Sequence, residues 1–206
     1  MRSENEASGQ KERSFIEEAR RAQIVASAIE VIAEVGFAQA SLARIAQHAG
    51  ISKGVISYHF AGKDELMEEV VERTYGTIAE HVGTRMVGLT TATELLRAHI
   101  VSVADHMRGH RTQLLALGEI FYNLRTADGQ PRYGINANEE IYRALEEIYR
   151  LGQESGEFRD FDRRVMAVAH SSAIDSMFAY WAANPGHDLD AHARQLADLF
   201  ERACRK

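Results

Sequence analysis

The chain has 206 residues, of which 45% are hydrophobic and 26% charged, and a net charge of −6 with histidine neutral. This is the balance of a globular protein, and no apolar run approaches the roughly 18 residues that a membrane-spanning helix needs. The first 17 residues contain no apolar signal-peptide core. The single cysteine, Cys204, cannot form a disulfide within the chain. We therefore expect a cytoplasmic protein without a membrane partner.

The excess of acidic residues is confined to the second part of the chain. Residues 1–63 carry eight Lys or Arg and seven Asp or Glu, a net charge of +1. Residues 64–206 carry sixteen Lys or Arg and twenty-three Asp or Glu, a net charge of −7. This distribution fits a small DNA-reading head on a larger body that does not contact DNA.

The composition predicts an all-α protein of about nine helices, because the chain has only two prolines and is rich in Ala, Glu, Arg and Leu. Residues 1–13 are polar and without hydrophobic periodicity, which predicts a disordered tail. Apolar residues between positions 24 and 35 recur at helical spacing. They predict a first helix from about Phe15 to Val35, after which Gly36 suits the left-handed conformation that ends a helix.

Two short helices and one long helix are predicted next. Ser41 and Ser52 are good N-caps for the short helices, and Gly50 breaks the chain between them. In the long helix, apolar residues repeat at four-residue steps. The predicted bounds are about residues 42–49, 53–60 and 63–86.

Five further helices are predicted in the rest of the chain. A turn-rich loop over residues 127–134 and the Asn184-Pro185-Gly186 break separate some of them. The predicted bounds are about residues 93–108, 111–125, 138–155, 162–183 and 189–203.

Residues 41–60 have the features of a DNA-binding helix-turn-helix. Such a motif needs a small residue where its helices cross, a glycine at the tight turn and an apolar plug, and Ala46, Gly50 and Ile51 occur in that order. The second helix must expose its first residues to the major groove. Candidate contacts with base edges and phosphates are Ser41, Arg44, Ser52, Lys53, Gly54, Val55, Ser57, Tyr58, His59 and Lys63.

The residues alone leave another interpretation open. Two short helices interrupted by glycine occur in many helical proteins. In that case His59 is a cation at a helix C-terminus, and Tyr58 is a half-buried aromatic residue.

The stretch from Ile24 to Glu69 resembles the TetR/AcrR family of bacterial regulators. The resemblance covers about a quarter of the chain. It lies in Gly36-Phe37, in Ser41-Leu-Ala-Arg-Ile-Ala-Gln-His-Ala-Gly50, in Ile51-Ser-Lys-Gly-Val-Ile-Ser-Tyr-His-Phe60 and in Gly62-Lys-Asp-Glu-Leu66. It implies a three-helix DNA-binding head, a long connecting helix, and a helical body that binds an effector and forms a homodimer.

The resemblance also implies roles for single residues. Lys53, Gly54 and Val55 match the groove-facing start of the family's recognition helix. Tyr58 and His59 match its aromatic–histidine pair, with His59 on a phosphate. Lys63 matches its phosphate-binding lysine, and Ser41 its helix cap. Ser57 departs from the family, where many members carry tyrosine, so the base preference at that position is open.

These observations predict three segments: a disordered tail over residues 1–13, a helix-turn-helix domain over residues 14–62, and an effector-binding and dimerisation domain over residues 63–206 with residues 63–86 as connector. The predicted function is a transcription repressor that binds a pseudo-palindromic operator in double-stranded DNA as a dimer and is released by a small, largely apolar effector. The alternative is a helical ligand-binding or scaffold protein that does not regulate DNA.

An enzyme would need a nucleophile beside a base, or paired carboxylates, on neighbouring faces. His170, Ser171 and Ser172 are adjacent in sequence, so their side chains point apart on a helix. We therefore expect no enzyme activity.

The body offers candidates for binding a lipophilic or aromatic effector. They combine adaptable methionine, aromatic rings and one polar group. They are Met107, Phe121, Tyr122, His170, Met177, Phe178 and Trp181. For each of them, plain core packing is the alternative.

The resemblance implies that the last two long helices form the dimer interface, and a packing stripe on the last helix and a small-residue stripe on the helix before it support this. Packing within one chain is the alternative for both. The stripe on the last helix is Leu189, Ala193, Leu196, Phe200 and Ala203, and the one on the helix before it is Val165, Val168, Ser172, Ser176 and Ala179.

Nine histidines raise the question of a metal site. His106 and His110 are four residues apart, with His99 and Asp105 nearby, but Gly109 weakens helical continuity there. No cysteine or carboxylate cluster completes a site at a recognisable spacing. We therefore expect neither a metal nor another cofactor.

Overall fold

The computed structural model describes the backbone of residues 2–206 and the side chains of residues 15–134 and 137–206. In this part of the chain the regular structure consists of nine α-helices and one 3₁₀ helix, with two isolated β-bridges between loop segments or chain ends. The predicted all-α fold is confirmed. The helices are α1 (Arg2–Val35), α2 (Leu42–His48), α3 (Lys53–His59), α4 (Lys63–Met86), α5 (Ala92–Arg108), α6 (Arg111–Asn123), α7 (Glu139–Ser155), α8 (Arg163–Ala183) and α9 (Leu189–Cys204), and the 3₁₀ helix is Ile135–Asn138.

The start of α1 differs from the prediction, while the other helix bounds agree within about two residues. The helix begins at Arg2 and not near Phe15, so the backbone is helical over most of the segment expected to be disordered. Met1 lies outside the described residues. This segment contains no proline, and its Glu, Arg, Lys and Ala residues favour a helix, although Gly9 disfavours one.

The chain forms two compact units, which we name the head unit (Met1–Thr74 and Leu115–Pro131) and the body unit (Tyr75–Leu114 and Arg132–Lys206). The first part of α4 belongs to the head unit, beyond the boundary predicted at residue 62. The reason is burial: Leu66, Met67 and Val70 on α4 are removed from solvent. Most of α6 also belongs to the head unit.

The head unit buries apolar side chains from its first four helices and from the part of α6 that belongs to it. Its tight turn follows α2, where Gly50 has a φ of +67° and the Ile51 amide donates to the Ala46 carbonyl at 3.0 Å. Glycine accepts this left-handed conformation without strain. The completely or almost completely buried residues include Ile24, Ala28, Ile32, Ile45, Ile56, Phe60, Leu66, Met67 and Val70.

In the body unit α5 packs against α9, and α7 packs against α8. The carboxylate of Glu157 accepts hydrogen bonds from the amides of Ala92 (3.1 Å) and Thr93 (3.0 Å). It thereby satisfies free N–H groups at the start of α5, where a negative charge is favoured. The core side chains include Leu96, Ile100, Met107, Leu145, Tyr149, Met177 and Phe200. No helix in the described part of the chain has the length and apolarity needed to cross a membrane.

One close approach in the body unit requires glycine. A Cβ atom at Gly152, near the end of α7, would lie 2.1 Å from Cδ2 of the Phe158 ring. Phe158 is itself buried in the core. Because a ring packed in a core has little room to shift, the two groups cannot coexist without rearrangement.

We predict that Gly152→Ala lowers the free energy of unfolding by about 1–3 kcal/mol, the usual cost of overpacking. The matched control is Gly83→Ala in α4, where nothing lies within 4 Å of an added Cβ. That variant should gain up to about 1 kcal/mol, because alanine favours a helix interior over glycine. Urea denaturation at one pH measures both, and equal stabilities of the two variants would contradict the packing argument.

Candidate DNA interface and effector-binding core

The short helix α3 presents one face to the core and another to solvent. Ile56, within the helix, and Phe60, at its C-terminal cap, are buried. Lys53, Gly54 and Ser57 are exposed, and 75% of Tyr58 is exposed. Val55 and His59 are half-buried. The structure thus brings the candidate base-reading residues together on one surface of the head unit.

The residues at the start of α3 are exposed to solvent. Ser52 has the extended backbone of an N-cap, with φ −79° and ψ 152°, but its hydroxyl makes no cap hydrogen bond. A Cβ at Gly54 would meet only Ser52 Oγ, at 3.6 Å. Since that is an ordinary contact, packing within the chain does not require glycine at position 54.

At the start of α2 the hydroxyl of Ser41 accepts a hydrogen bond from the Arg44 amide at 3.2 Å. This confirms the predicted N-cap. The side chain of Arg44 is exposed. The two candidate phosphate contacts therefore share the first turn of α2.

The end of α3 is held by Arg21 of α1. Its guanidinium donates to the His59 carbonyl at 2.6 Å and to Glu69 of α4 at 2.5 Å, and it lies 4.3 Å from the centroid of the Phe60 ring. The Tyr58 and His59 rings are perpendicular, with centroids 5.0 Å apart. The local sequence gives no sign of Glu69 as the partner of Arg21, because 48 positions separate them.

Lys63 has partners that sequence analysis missed. Its Nζ atom donates to the Phe37 carbonyl at 2.5 Å and lies 4.0 Å from the centroid of the Phe37 ring. Desolvation by partial burial lowers the pKa of Lys63 from its ordinary value, although the nearby carboxylate of Asp64 acts in the opposite direction. The ammonium group thus sits in a partly dry cradle formed by Phe37.

The candidate effector residues fall into two groups. Five of them are buried in the core of the body unit: Met107, His170, Met177, Phe178 and Trp181. Phe121 and Tyr122 belong to the head unit, and 79% of Tyr122 is exposed. These two residues are therefore not part of the core that holds the other five.

His170 is the polar centre of the buried group. The Tyr149 hydroxyl lies 2.8 Å from Nδ1 of His170, and Nε2 of His170 lies 3.3 Å from Nδ1 of His99. The His170 ring stacks on Phe200 with centroids 4.8 Å apart. Desolvation lowers the pKa of His99 to about 4 and holds the pKa of His170 well below its ordinary value. Both rings are therefore neutral at pH 7, and each can donate at one nitrogen and accept at the other.

The histidines considered as metal ligands do not come together as a site. The His106 and His110 rings stack with centroids 4.2 Å apart, on either side of the end of α5 at Arg108. Within the described part of the chain no group of three or more His, Cys, Asp or Glu side chains is arranged to hold a metal ion.

The two candidate dimer stripes differ in the structure. The stripe on α9 is buried in the body unit of its own chain, as the alternative of packing within one chain predicts. Its buried residues are Leu189, Ala193, Leu196 and Phe200. On α8, 67% of Val165 is exposed, and Ser172, Ser176 and Ala179 are also exposed. Leu199 adds an exposed apolar side chain on α9.

Residues 24–70 match the family model described as "Bacterial regulatory proteins, tetR family". The chain is 35% identical over 183 residues to the HTH-type transcriptional regulator BetI 1 of Chromohalobacter salexigens, a match that covers 86% of each chain. It is 28% identical over 186 residues to the fatty acid metabolism regulator protein of Bacillus subtilis, covering 86% of this chain and 91% of that protein.

Solved structures agree with these matches. The transcriptional regulator FadR from Bacillus subtilis in complex with stearoyl-CoA has a TM-score of 0.78 and 25% identity, covering 87% of this chain and 96% of that chain. The fatty acid degradation regulator FadR from Bacillus halodurans has a TM-score of 0.79 and 23% identity, covering 88% of this chain and 94% of that chain, and shows the same fold. Together the matches confirm the predicted resemblance and the predicted role in transcription regulation.

The lowered pKa of the half-buried His99 predicts how the free energy of unfolding changes with pH. In the unfolded chain His99 takes up a proton as the pH falls below its ordinary pKa of 6.5. In the folded chain it stays neutral until the pH approaches its lowered pKa of about 4. The free energy of unfolding should therefore fall as the pH falls through this range, by up to about 1.4 kcal/mol per pH unit for one proton.

We expect His99→Gln to make the decline between pH 7 and pH 5 shallower, because glutamine can still accept a hydrogen bond from His170 but does not titrate. His48→Gln on the exposed face of α2 is the control and should leave the decline unchanged. Urea denaturation at several pH values measures the slope. Identical slopes for the wild type and His99→Gln would show that His99 is not held neutral.

Proposed function

Because this chain belongs to the TetR family of bacterial regulatory proteins and is a DNA-binding regulator of transcription, we propose that it reads an operator by placing the start of α3 in the major groove. One observation carries the proposal. The burial of Ile56 in α3 and of Phe60 at its C-terminal cap leaves the candidate base-reading residues of α3 on an exposed or half-buried surface. We also infer that the chain is not an enzyme and acts on DNA in the cytoplasm.

The proposed readers are Lys53, Gly54, Val55 and Ser57. Lys53 donates to guanine, Val55 contacts a thymine methyl, and Ser57 donates or accepts at a base edge. Gly54 lets the backbone approach DNA closely, which gives a reason for glycine where packing gives none. The residues proposed to bind phosphates, and so to fix the register, are Ser41, Arg44, Ser52, Tyr58, His59 and Lys63.

We propose that the regulator is a homodimer that represses transcription from a pseudo-palindromic operator. A two-fold dimer carries two equal heads, so its half-sites lie one or more helical turns apart, about 34–36 Å per turn. The exposed face of α8, with Val165, Ser172, Ser176 and Ala179, supports close approach of a second chain. The buried stripe of α9 has no part in this proposal.

The proposed effector is a small molecule with a long apolar part. Met107, Met177, Phe178 and Trp181 line one buried apolar core, and methionine adapts its shape to a guest. His170 supplies a polar group there. The Bacillus subtilis FadR structure holds stearoyl-CoA, so we propose a fatty acyl compound as the first effector to test. Binding would favour dimer states whose heads do not fit the operator.

The DNA interface is tested on an operator selected from genomic fragments by the full-length protein. Lys63→Ala should weaken binding to all sequences alike and make the dependence of log Kd on log salt less steep by about one, because one phosphate contact is lost. Val55→Ala should change the preferred base at one position instead. Fluorescence anisotropy over a salt series measures both, and a stoichiometry of two chains per operator tests the dimer.

The assignment of base contacts is wrong if Val55→Ala binds the same set of sequences in the same order as the wild type. The DNA-binding proposal itself is wrong if no genomic fragment competes better than random duplex.

The effector is tested through Trp181, the only tryptophan. Stearoyl-CoA should change the fluorescence of Trp181, raise the Tm and release the operator, because a ligand that binds the folded body stabilises it. Coenzyme A without the acyl chain is the control and should do none of these. Equal responses to both compounds, or no response to either, would exclude an acyl effector.

A further inference from the structure

A carboxylate on α6 is linked to Lys63 through a single peptide segment of the head unit. Oε2 of Glu119 accepts a hydrogen bond from the Phe37 amide at 2.9 Å. The Phe37 carbonyl accepts a hydrogen bond from Lys63 Nζ at 2.5 Å, and the Phe37 ring faces the same ammonium group. Phe37 is therefore held from both sides, by an acidic residue 82 positions along the chain and by a basic residue 26 positions along it.

The turn that carries Phe37 is fitted to this carboxylate. Gly36 has a φ of +78°, and a Cβ there would lie 3.3 Å from Oε2 of Glu119. The side-chain amide of Asn123 donates a hydrogen bond to the Glu119 backbone carbonyl at 2.8 Å and a longer one to Oε2 of the Glu119 carboxylate at 3.4 Å. The carboxylate is thus oriented from its own helix towards the turn between α1 and α2.

We propose that Glu119 is a positioning residue for DNA binding, which acts through Phe37 to hold Lys63 where it can meet a phosphate. This inference rests on the proposed function. Glu119 itself touches no DNA in this proposal, since its contribution is to fix the cradle of Lys63.

The chemistry of lysine allows the cradle and a phosphate to bind together. An ammonium group has three donors, and the Phe37 carbonyl occupies one of them. A lysine whose long side chain is already fixed loses less conformational entropy when it meets a phosphate. Without Glu119 the Phe37 amide loses its partner, the turn is freed, and Lys63 must be ordered at the moment of binding.

The direction in which operator affinity changes distinguishes a positioning role of Glu119 from a simple effect of its negative charge. Removing a carboxylate near DNA ordinarily strengthens binding, because it removes a repulsion of the phosphates. Glu119→Ala should do the opposite: weaken operator binding several-fold and make the salt dependence less steep by up to about one, as Lys63→Ala does. Glu34→Ala removes an exposed carboxylate near the same turn. As the matched control it should not weaken binding.

Two further variants complete the test. Glu119→Gln keeps an acceptor oxygen of the same reach and should restore most of the affinity and the salt slope. Glu119→Ala combined with Lys63→Ala should bind no more weakly than Lys63→Ala alone, because both changes remove the same contact. If Lys63 matters for binding but Glu119→Ala behaves like Glu34→Ala, the positioning role is overturned.

A measurement without DNA keeps this inference separate from the proposed function. The chain has four lysines, so the titration of each can be followed by NMR after ¹³C labelling of lysine. In Glu119→Ala the pKa of Lys63 should rise towards its ordinary value of 10.5, because the ammonium leaves its partly dry cradle. If the wild type binds no duplex, the proposed function fails, whereas an unchanged Lys63 pKa in Glu119→Ala overturns the link to Glu119.

Discussion

Ile56 lies within α3 and Phe60 is the residue that caps its C-terminus, and both are removed from solvent. A helix of seven residues has too few hydrogen bonds to be stable alone. Its conformation, its rotation and its exposed face therefore all depend on this burial. Everything proposed about DNA contact follows from which residues remain on the outside.

Arg21 fixes the end of the same helix. Its guanidinium meets the His59 carbonyl, the Phe60 ring and the Glu69 carboxylate, so one side chain joins α1, α3 and α4. Hydrogen bonds between charged groups are stronger than neutral ones, and an arginine can make several in fixed directions. The helix α3 is thus held by apolar burial on one side and by a charged group at its C-terminus.

The body unit keeps polar groups inside an apolar core. Tyr149, His170 and His99 form a connected chain of hydrogen bonds, and desolvation lowers the pKa of both histidines, which favours their neutral forms. Such a chain is tolerable because its members satisfy one another.

The sequence by itself determined what depends on near neighbours. Helical spacing of apolar residues predicted the helices after α1 within about two residues. The cap by Ser41 was predicted because its partner, the Arg44 amide, is three residues away. The family resemblance rests on a contiguous motif for the same reason, since the turn and both short helices of the reader lie within residues 41–60.

Only the tertiary structure decided which distant residues meet. The cradle of Lys63 and its link to Glu119 join positions far apart in the chain, and no local pattern marks them. The stripe on α9 could have faced a second chain or its own core, and folding placed it in its own core. Phe121 and Tyr122 have the composition of a ligand site but lie in the head unit. Hydrophobic periodicity specifies that a face is buried and does not specify against what, because burial of apolar surface has no preferred partner or direction.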